Sequence, residues 1–246
     1  MDSQTREYGQ QGLTLPHDIV PLPSGGKFYK NKKQAIKVGY LTAQDENIIL
    51  GGGDFTYNLL RSKIYEPDLK IDDLIEGDVE SILIFLRNTS FGPEMLLNLT
   101  DPITKKPFQS TVMLDQLLIK TGQEPSSDGT FTTTLPKSNS TIKLKPMNYG
   151  QIMEMNRVLD SYPKERVSPK VTLRLQKEIV EVDGISDLAH ISKYVEQMPI
   201  SDSKFVRNFM NENEPKLDLR KVVTAPSGEK LTVNVGFGVD FFRPFF

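Results

Sequence analysis

Cysteine is absent from this 246-residue chain, and histidine occurs only at positions 17 and 190. The first absence excludes disulfides, thiolate catalysis and Cys-ligated zinc. The second leaves imidazole chemistry almost nothing to work with. A surplus of one charge is missing too, since 30 basic residues face 32 acidic ones for a net charge of −2. That balance offers no electrostatic footprint for nucleic acid and no acidic tail. The longest unbroken apolar run, Ile82 to Leu86, is far short of the ~18 residues that span a bilayer, so no membrane partner is expected. The first seven residues, Met1-Asp2-Ser3-Gln4-Thr5-Arg6-Glu7, are polar and do not read as a secretory leader. The expectation is a soluble protein of the cell interior. With 17 Gly and 16 Pro, close to average usage, collagen-like and low-complexity readings fail.

What is present is a mixture of helical and alternating patterns that predicts an α+β fold. Residues 1–33 hold few apolar side chains and scatter Pro16, Pro21, Pro23, Gly25 and Gly26 among them. Proline fixes φ and removes a donor while glycine opens left-handed turns, so this stretch reads as an extended arm. The arm carries two aromatic anchors, Phe28 and Tyr29, which with Phe241, Phe242, Phe245 and Phe246 of the C-terminal tail are candidate partner contacts, and it needs a surface to lie on.

A mainly helical part covers 34–93. Thr42-Ala43-Gln44-Asp45 resembles a capping box that starts a helix ending at Gly51. Phe55, Leu59, Leu60 and Ile64 share one face of a second helix, closed by Pro67. Val79, Ile82, Leu83 and Leu86 follow i, i+3, i+4, i+7 and mark a third, with Asp78 as its N-cap.

Residues 94–146 change texture. Met95–Leu99 with Phe108–Leu114, and Thr130–Leu135 with Thr141–Lys145, read as two hairpins around turn-rich connections. The polar stretch Gly122 to Gly129 between them reads as mobile. From 147 to 246 helices return: one capped by Asn148, one striped by Leu188, Ile191, Val195 and Met198, and one carrying Phe205, Val206, Phe209 and Met210. The period of Val171–Val182 is ambiguous. Lys221–Ala225 and Lys230–Phe237 form a last hairpin ahead of an aromatic tail. Residues 34–246 could form a single compact domain.

Candidate chemistry is sparse. Gly51-Gly52-Gly53 lacks the preceding strand and the Gly-Lys-Ser/Thr of a phosphate loop, and Ser24-Gly25-Gly26-Lys27 fails the same test. Asp72, Asp73, Glu76 and Asp78 are dense but lack EF-hand spacing, so they read as a helix cap with solvated neighbours. His190 flanks an apolar stripe, and His17 lies in the arm. Lys30, Lys32 and Lys33 form a basic cluster without an aromatic platform. No catalytic residue, metal or cofactor follows from these patterns.

The last ten residues hold Phe237, Phe241, Phe242, Phe245 and Phe246, too many rings to leave in water. Either the tail closes its own core or it anchors a neighbouring subunit. Arg243 and Pro244 split the cluster, which favours Phe241 and Phe242 packed inward and Phe245 and Phe246 reaching a partner.

The order of several blocks resembles a known family. They are Pro23-Ser24-Gly25-Gly26-Lys27-Phe28-Tyr29, then Leu41-Thr42-Ala43-Gln44-Asp45-Glu46, then Leu69 to Asp78 leading into the Ile82–Arg87 helix. Val182-Asp183-Gly184, Met198-Pro199-Ile200-Ser201-Asp202 and a closing Asp240-Phe241-Phe242-Arg243-Pro244 follow. The arrangement is similar to the baseplate hub and hub-assembly proteins of T-even-type contractile-tailed bacteriophages, over roughly residues 20–244. The resemblance implies a virion-associated or assembly protein, made in the host cytoplasm, whose partners are other tail and baseplate proteins, with self-association in a symmetric assembly as one form. It implies no enzyme. A resident baseplate subunit, an assembly chaperone absent from the mature virion and a carboxylate-based peptidoglycan hydrolase remain as alternatives.

Relatives often carry cysteine pairs in the middle and C-terminal hairpins, which suggests zinc knuckles. Here Thr100-Asp101-Pro102 and Ala225-Pro226-Ser227-Gly228 stand at those turns. The departure implies hairpins held by packing alone.

Overall fold

In the computed structural model, which describes residues 16–51 and 54–242, the chain enters through a strand. β1 (His17–Pro21) pairs antiparallel with β2 (Ala35–Gly39), His17 opposite Gly39 and Pro21 opposite Ala35. This corrects the extended-arm reading for residues 16–33. Val20 and Leu22 are buried with Ile36 and Val38, so a few well-placed apolar side chains suffice where a strand partner satisfies the backbone. The turn between the strands does use its glycines. Gly25 and Gly26 have φ of +57° and +75°, and a Cβ on Gly26 would stand 2.5 Å from the Lys33 carbonyl oxygen. Residues 1–15 of the expected arm lie outside the described residues.

α1 (Ala43–Leu50) and α2 (Phe55–Lys63) follow. The Asp45 carboxylate accepts from the Thr42 amide at 2.6 Å and the Thr42 hydroxyl at 2.7 Å. It also accepts from Ser62 and pairs with the buried Lys63 ammonium, so the cap of α1 doubles as its bolt to α2. α3 (Glu76–Phe91) buries Val79, Ile82, Leu83 and Leu86 on its predicted face. Its N-cap is Ile75, not Asp78, which is the third residue of the helix and lies in its first turn. Gly92, at φ +79°, ends it.

β3 (Glu94–Thr100) and β4 (Pro107–Met113) form a seven-residue hairpin. β5 (Ile119–Lys120) is short, and β6 (Phe131–Thr134) and β7 (Thr141–Leu144) make the second hairpin. α4 (Tyr149–Asp160) starts at a reciprocal Asn148–Gln151 capping box. The stretch of ambiguous period is two elements, α5 (Lys170–Glu178) running directly into β8 (Ile179–Val182), which extends the β6–β7 sheet by pairing with β7. α6 (Leu188–Gln197) and α7 (Ile200–Asn213) meet at Pro199. β9 (Lys216–Leu217) returns to pair with β5, and β10 (Arg220–Thr224) with β11 (Lys230–Asn234) closes the strand series.

The result is an α+β arrangement of helices and small antiparallel sheets. One continuous apolar cluster runs through it from Val20 and Leu22, by way of α3, to Phe241 and Phe242. The 122–129 stretch packs on the 24–32 turn: Lys27 pairs with Glu124 at 2.7 Å and the Lys32 ammonium donates to the Ser127 carbonyl at 3.0 Å. Among the described residues no helix is long and apolar enough to cross a membrane.

Candidate protein-interaction site

Phe28 and Tyr29 are interior anchors of this chain, which corrects their reading as partner contacts. Phe28 packs its ring 6.0 Å from that of Phe131. Tyr29 is 4% exposed and its hydroxyl donates to the Asp78 carboxylate while accepting from the Ile75 amide at 3.1 Å. Asp78, fully buried, also accepts from the Ser24 amide at 2.9 Å and the Ser24 hydroxyl at 2.5 Å. Burial pushes the Asp78 carboxyl up, against the pull of its Ser24 and Tyr29 donors. Burial, then the neighbouring Asp78, pushes the Tyr29 phenol up as well. A Ser beside an Asp invites a nucleophile reading, but Ser24 is 1% exposed and sealed from any substrate. The group is a keystone: it ties the first turn of the chain to the first turn of α3.

At the other end, Phe241 and Phe242 are buried as the split of the tail predicts. Their rings lie 4.9 Å apart, with Phe237 5.0 Å from Phe241 and Phe55 edge-on at 6.1 Å from Phe242. The Arg87 guanidinium sits 5.8 Å from the centre of the Phe241 ring. It also donates to the carbonyls of Gly92 and Glu94, so a buried cation is held by a ring and two dipoles, with no carboxylate partner among the described residues. Phe245 and Phe246 lie outside the described residues.

Exposed apolar side chains are spread over the surface, among them Ile19, Val167, Leu188 and Ile200, and several lie on the hairpins and at β5. Leu96 on β3, Ile103 in the β3–β4 turn, Leu118 and Ile119 at β5, and Val222 on β10 are all more than half exposed. β3–β4 and β10–β11 are each two-stranded sheets, so both present unpaired backbone edges, the usual template for a further strand. Their tips are joined. The Asp101 carboxylate accepts from the amides of Ile103 at 2.9 Å and Thr104 at 3.0 Å, which shape its own turn, and from Ser227 at 2.9 Å in the other hairpin. Burial opposes the charge, but these amides outweigh it and hold the Asp101 carboxyl at about 2. The Thr100–Pro102 and Ala225–Gly228 turns are therefore joined by a hydrogen-bonded carboxylate, a correction to the expectation of hairpins held by packing alone.

The acidic cluster rearranges. Asp72, Asp73 and Glu76 are exposed and Asp78 is buried, but Glu76 belongs with Glu80, one turn along α3, and with three groups distant in sequence, Glu178, Glu214 and Lys216, with Arg174 beside them. They meet because β9 runs hard against the first turn of α3, where a Cβ on Gly77 would fall 2.1 Å from the Pro215 carbonyl oxygen. Burial, with Glu76 next, pushes Glu214 up to about 8 and Glu80 up to about 7. Glu178, also raised by burial, is held by Arg174 at 2.7 Å. Beside this group opens an apolar pocket of about 160 Å³, walled by Val79, Leu83, Tyr149 and Phe237 with Glu76 and Glu80 at one side.

His190 is exposed on α6, and the His17 ring lies edge-on to Tyr65. Of the basic cluster, Lys33 bridges Glu66 and Asp68. Among the described residues no group of three His, Cys, Asp or Glu side chains is placed to hold a metal. Comparison with family models, with curated proteins and with solved structures found no match.

Proposed function

We propose that this chain is a structural or assembly protein of the hub region of a contractile phage tail baseplate and acts by protein–protein interaction. The observation that carries the reading is the joined pair of hairpins, with apolar side chains on the outside and unpaired strand edges. Three large apolar residues, Leu96, Ile103 and Val222, are kept in water there at 55–66% exposure, and Leu118 and Ile119 at β5 add two more, a cost that a partner surface removes. The order of the sequence blocks that resemble the hub family supports the same reading. Several of those blocks are joints of this fold: the Ser24–Tyr29 turn on Asp78, the Thr42–Asp45 cap, the left-handed Asp183-Gly184 turn and the Pro199 break.

The test is quantitative mass spectrometry of purified phage particles and of tail intermediates from infected cells. A resident subunit appears in both at a fixed ratio to other baseplate proteins. An assembly factor appears only in the intermediates. Absence from both defeats the proposal.

A further inference from the structure

The pocket between α2, α3 and α4 combines two features. Its walls are apolar and its volume, about 160 Å³, is close to the ~150 Å³ cavity that accepts one benzene ring. That suits a phenyl ring. On its wall, Glu80 keeps Oε2 buried with no hydrogen-bond partner among the described residues, a state that costs free energy. Glu76 repels its charge and Lys216 offers only a partial counterweight. That suits a cation.

Within four residues, Arg243-Pro244-Phe245-Phe246 carries both. We propose that this segment of a second copy of the chain seats in the pocket, the Arg243 guanidinium against Glu80 and one phenyl ring in the apolar hollow. The proposal rests on the interaction-protein reading above and names a partner for it. The described part of the chain ends at Phe242, close to the pocket. Phe242, the residue before the segment, packs on Phe55, and the next residue, Thr56, lies on the pocket rim. Two copies can therefore exchange segments reciprocally about a two-fold axis, the self-complementary geometry of most closed dimers. Among the described residues of its own chain, none hydrogen-bonds to Glu80 Oε2.

Sedimentation of the purified full chain over a range of concentrations tests this. The expected result is a dimer that dissociates on dilution. Phe245→Ser with Phe246→Ser removes the rings, Thr56→Trp fills the pocket, and Glu80→Gln removes the charge; each weakens association at least about tenfold. A synthetic peptide of residues 239–246 binds the Phe245→Ser/Phe246→Ser protein and not the Thr56→Trp protein. Dimerisation of the wild-type chain weakens below about pH 7 as Glu80 takes up a proton, with Glu76, Lys216 and Tyr149 facing it. Glu80→Gln loses that dependence, which a merely structural Glu80 would not do. Peptide binding by a chain that stays monomeric at every concentration overturns the exchange, because the segment then seats in its own copy. No peptide binding overturns the pocket as its receptor. Neither result depends on phage components, so the particle experiment and this one fail separately.

Discussion

Removing one oxygen atom from the keystone is the sharpest perturbation of the fold. Tyr29→Phe keeps the ring, its volume and its packing, and deletes only the hydroxyl that donates to Asp78 and accepts from the Ile75 amide. A hydrogen bond to a charged group contributes about 1.5–3 kcal/mol. The Ile75 amide would then be left without an acceptor beside Tyr29, which costs about 1–3 kcal/mol when buried. The two effects overlap, so the expected loss is about 2–4 kcal/mol out of a total of about 5–15 kcal/mol. Urea unfolding gives the loss as a shift in midpoint at unchanged slope.

Asp78→Asn in the same background closes a double-mutant cycle, whose coupling should be about 1.5–3 kcal/mol. Hydrogen exchange locates the effect: the amides of Ser24 and of the β1–β2 pair should lose protection before those of α3. A loss under about 0.5 kcal/mol, or a coupling near zero, would show that the residue 16–33 segment is held by Val20, Leu22 and Phe28 alone.

Other perturbations probe the remaining joints. Phe241→Ala or Phe242→Ala should each cost about 3–5 kcal/mol, as for other buried rings, whereas Phe245→Ala with Phe246→Ala should leave the monomer's melting unchanged. Calorimetry on the separate variants decides this. Asp101→Ala should free the two hairpin tips, seen as faster exchange at Ile103, Thr104 and Ser227. Because its folded pKa, about 2, lies below the unfolded value, the Asp101 contact contributes fully above about pH 4 and is lost as pH falls through 2. Exchange at those amides that is already fast at pH 5 would contradict it. Glu214 and Glu80 act in the opposite sense. Their folded pKa values, about 8 and about 7, lie above the unfolded value, so the folded chain holds protons that the unfolded chain releases. Stability should fall as pH rises from about 4.5 to 8, and Glu214→Gln should flatten that slope. Urea midpoints at pH 6 and pH 9 that coincide in the wild type would refute it.

Local chemistry made most of the elements legible. The Thr42–Asp45 and Asn148–Gln151 boxes each start a helix, the 3.6-residue stripe of Val79, Ile82, Leu83 and Leu86 is the buried face of α3, and the turn residues at 101–107 and 136–140 sit between paired strands. Joints between distant residues were not legible. Ser24 and Asp78 are 54 residues apart, and Asp101 and Ser227 are 126 apart; neither pair has a periodic signature. β5 and β9 are two residues each and pair across nearly the whole second half of the chain. The 16–33 segment read as an arm because its proline and glycine content was weighed without the acceptor that holds it. Val171–Val182 stayed ambiguous because a helix gives way to a strand between Glu178 and Ile179 with no breaker between them.

For the candidate site, the inward pair Phe241 and Phe242 was readable from the Arg243-Pro244 interruption. Phe28 and Tyr29 read as partner contacts because nothing in their spacing points to β6 and α3 of the same chain, against which they pack. The meeting of Glu76, Glu80, Glu178 and Glu214 depends on the approach of β9 to Gly77, which only the folded chain reveals.

The central claim is that this protein works as a part or a builder of a baseplate, through its paired hairpins. The most direct measurement is affinity purification of the tagged full chain from infected cells, with the wild type and Leu96→Asp/Val222→Asp compared by quantitative mass spectrometry. The account predicts that baseplate proteins copurify with the wild type at a fixed ratio and are lost with the double variant, while its melting temperature is unchanged. Recovery of the wild-type chain free of any baseplate protein, with tails assembling normally in its absence, would contradict it.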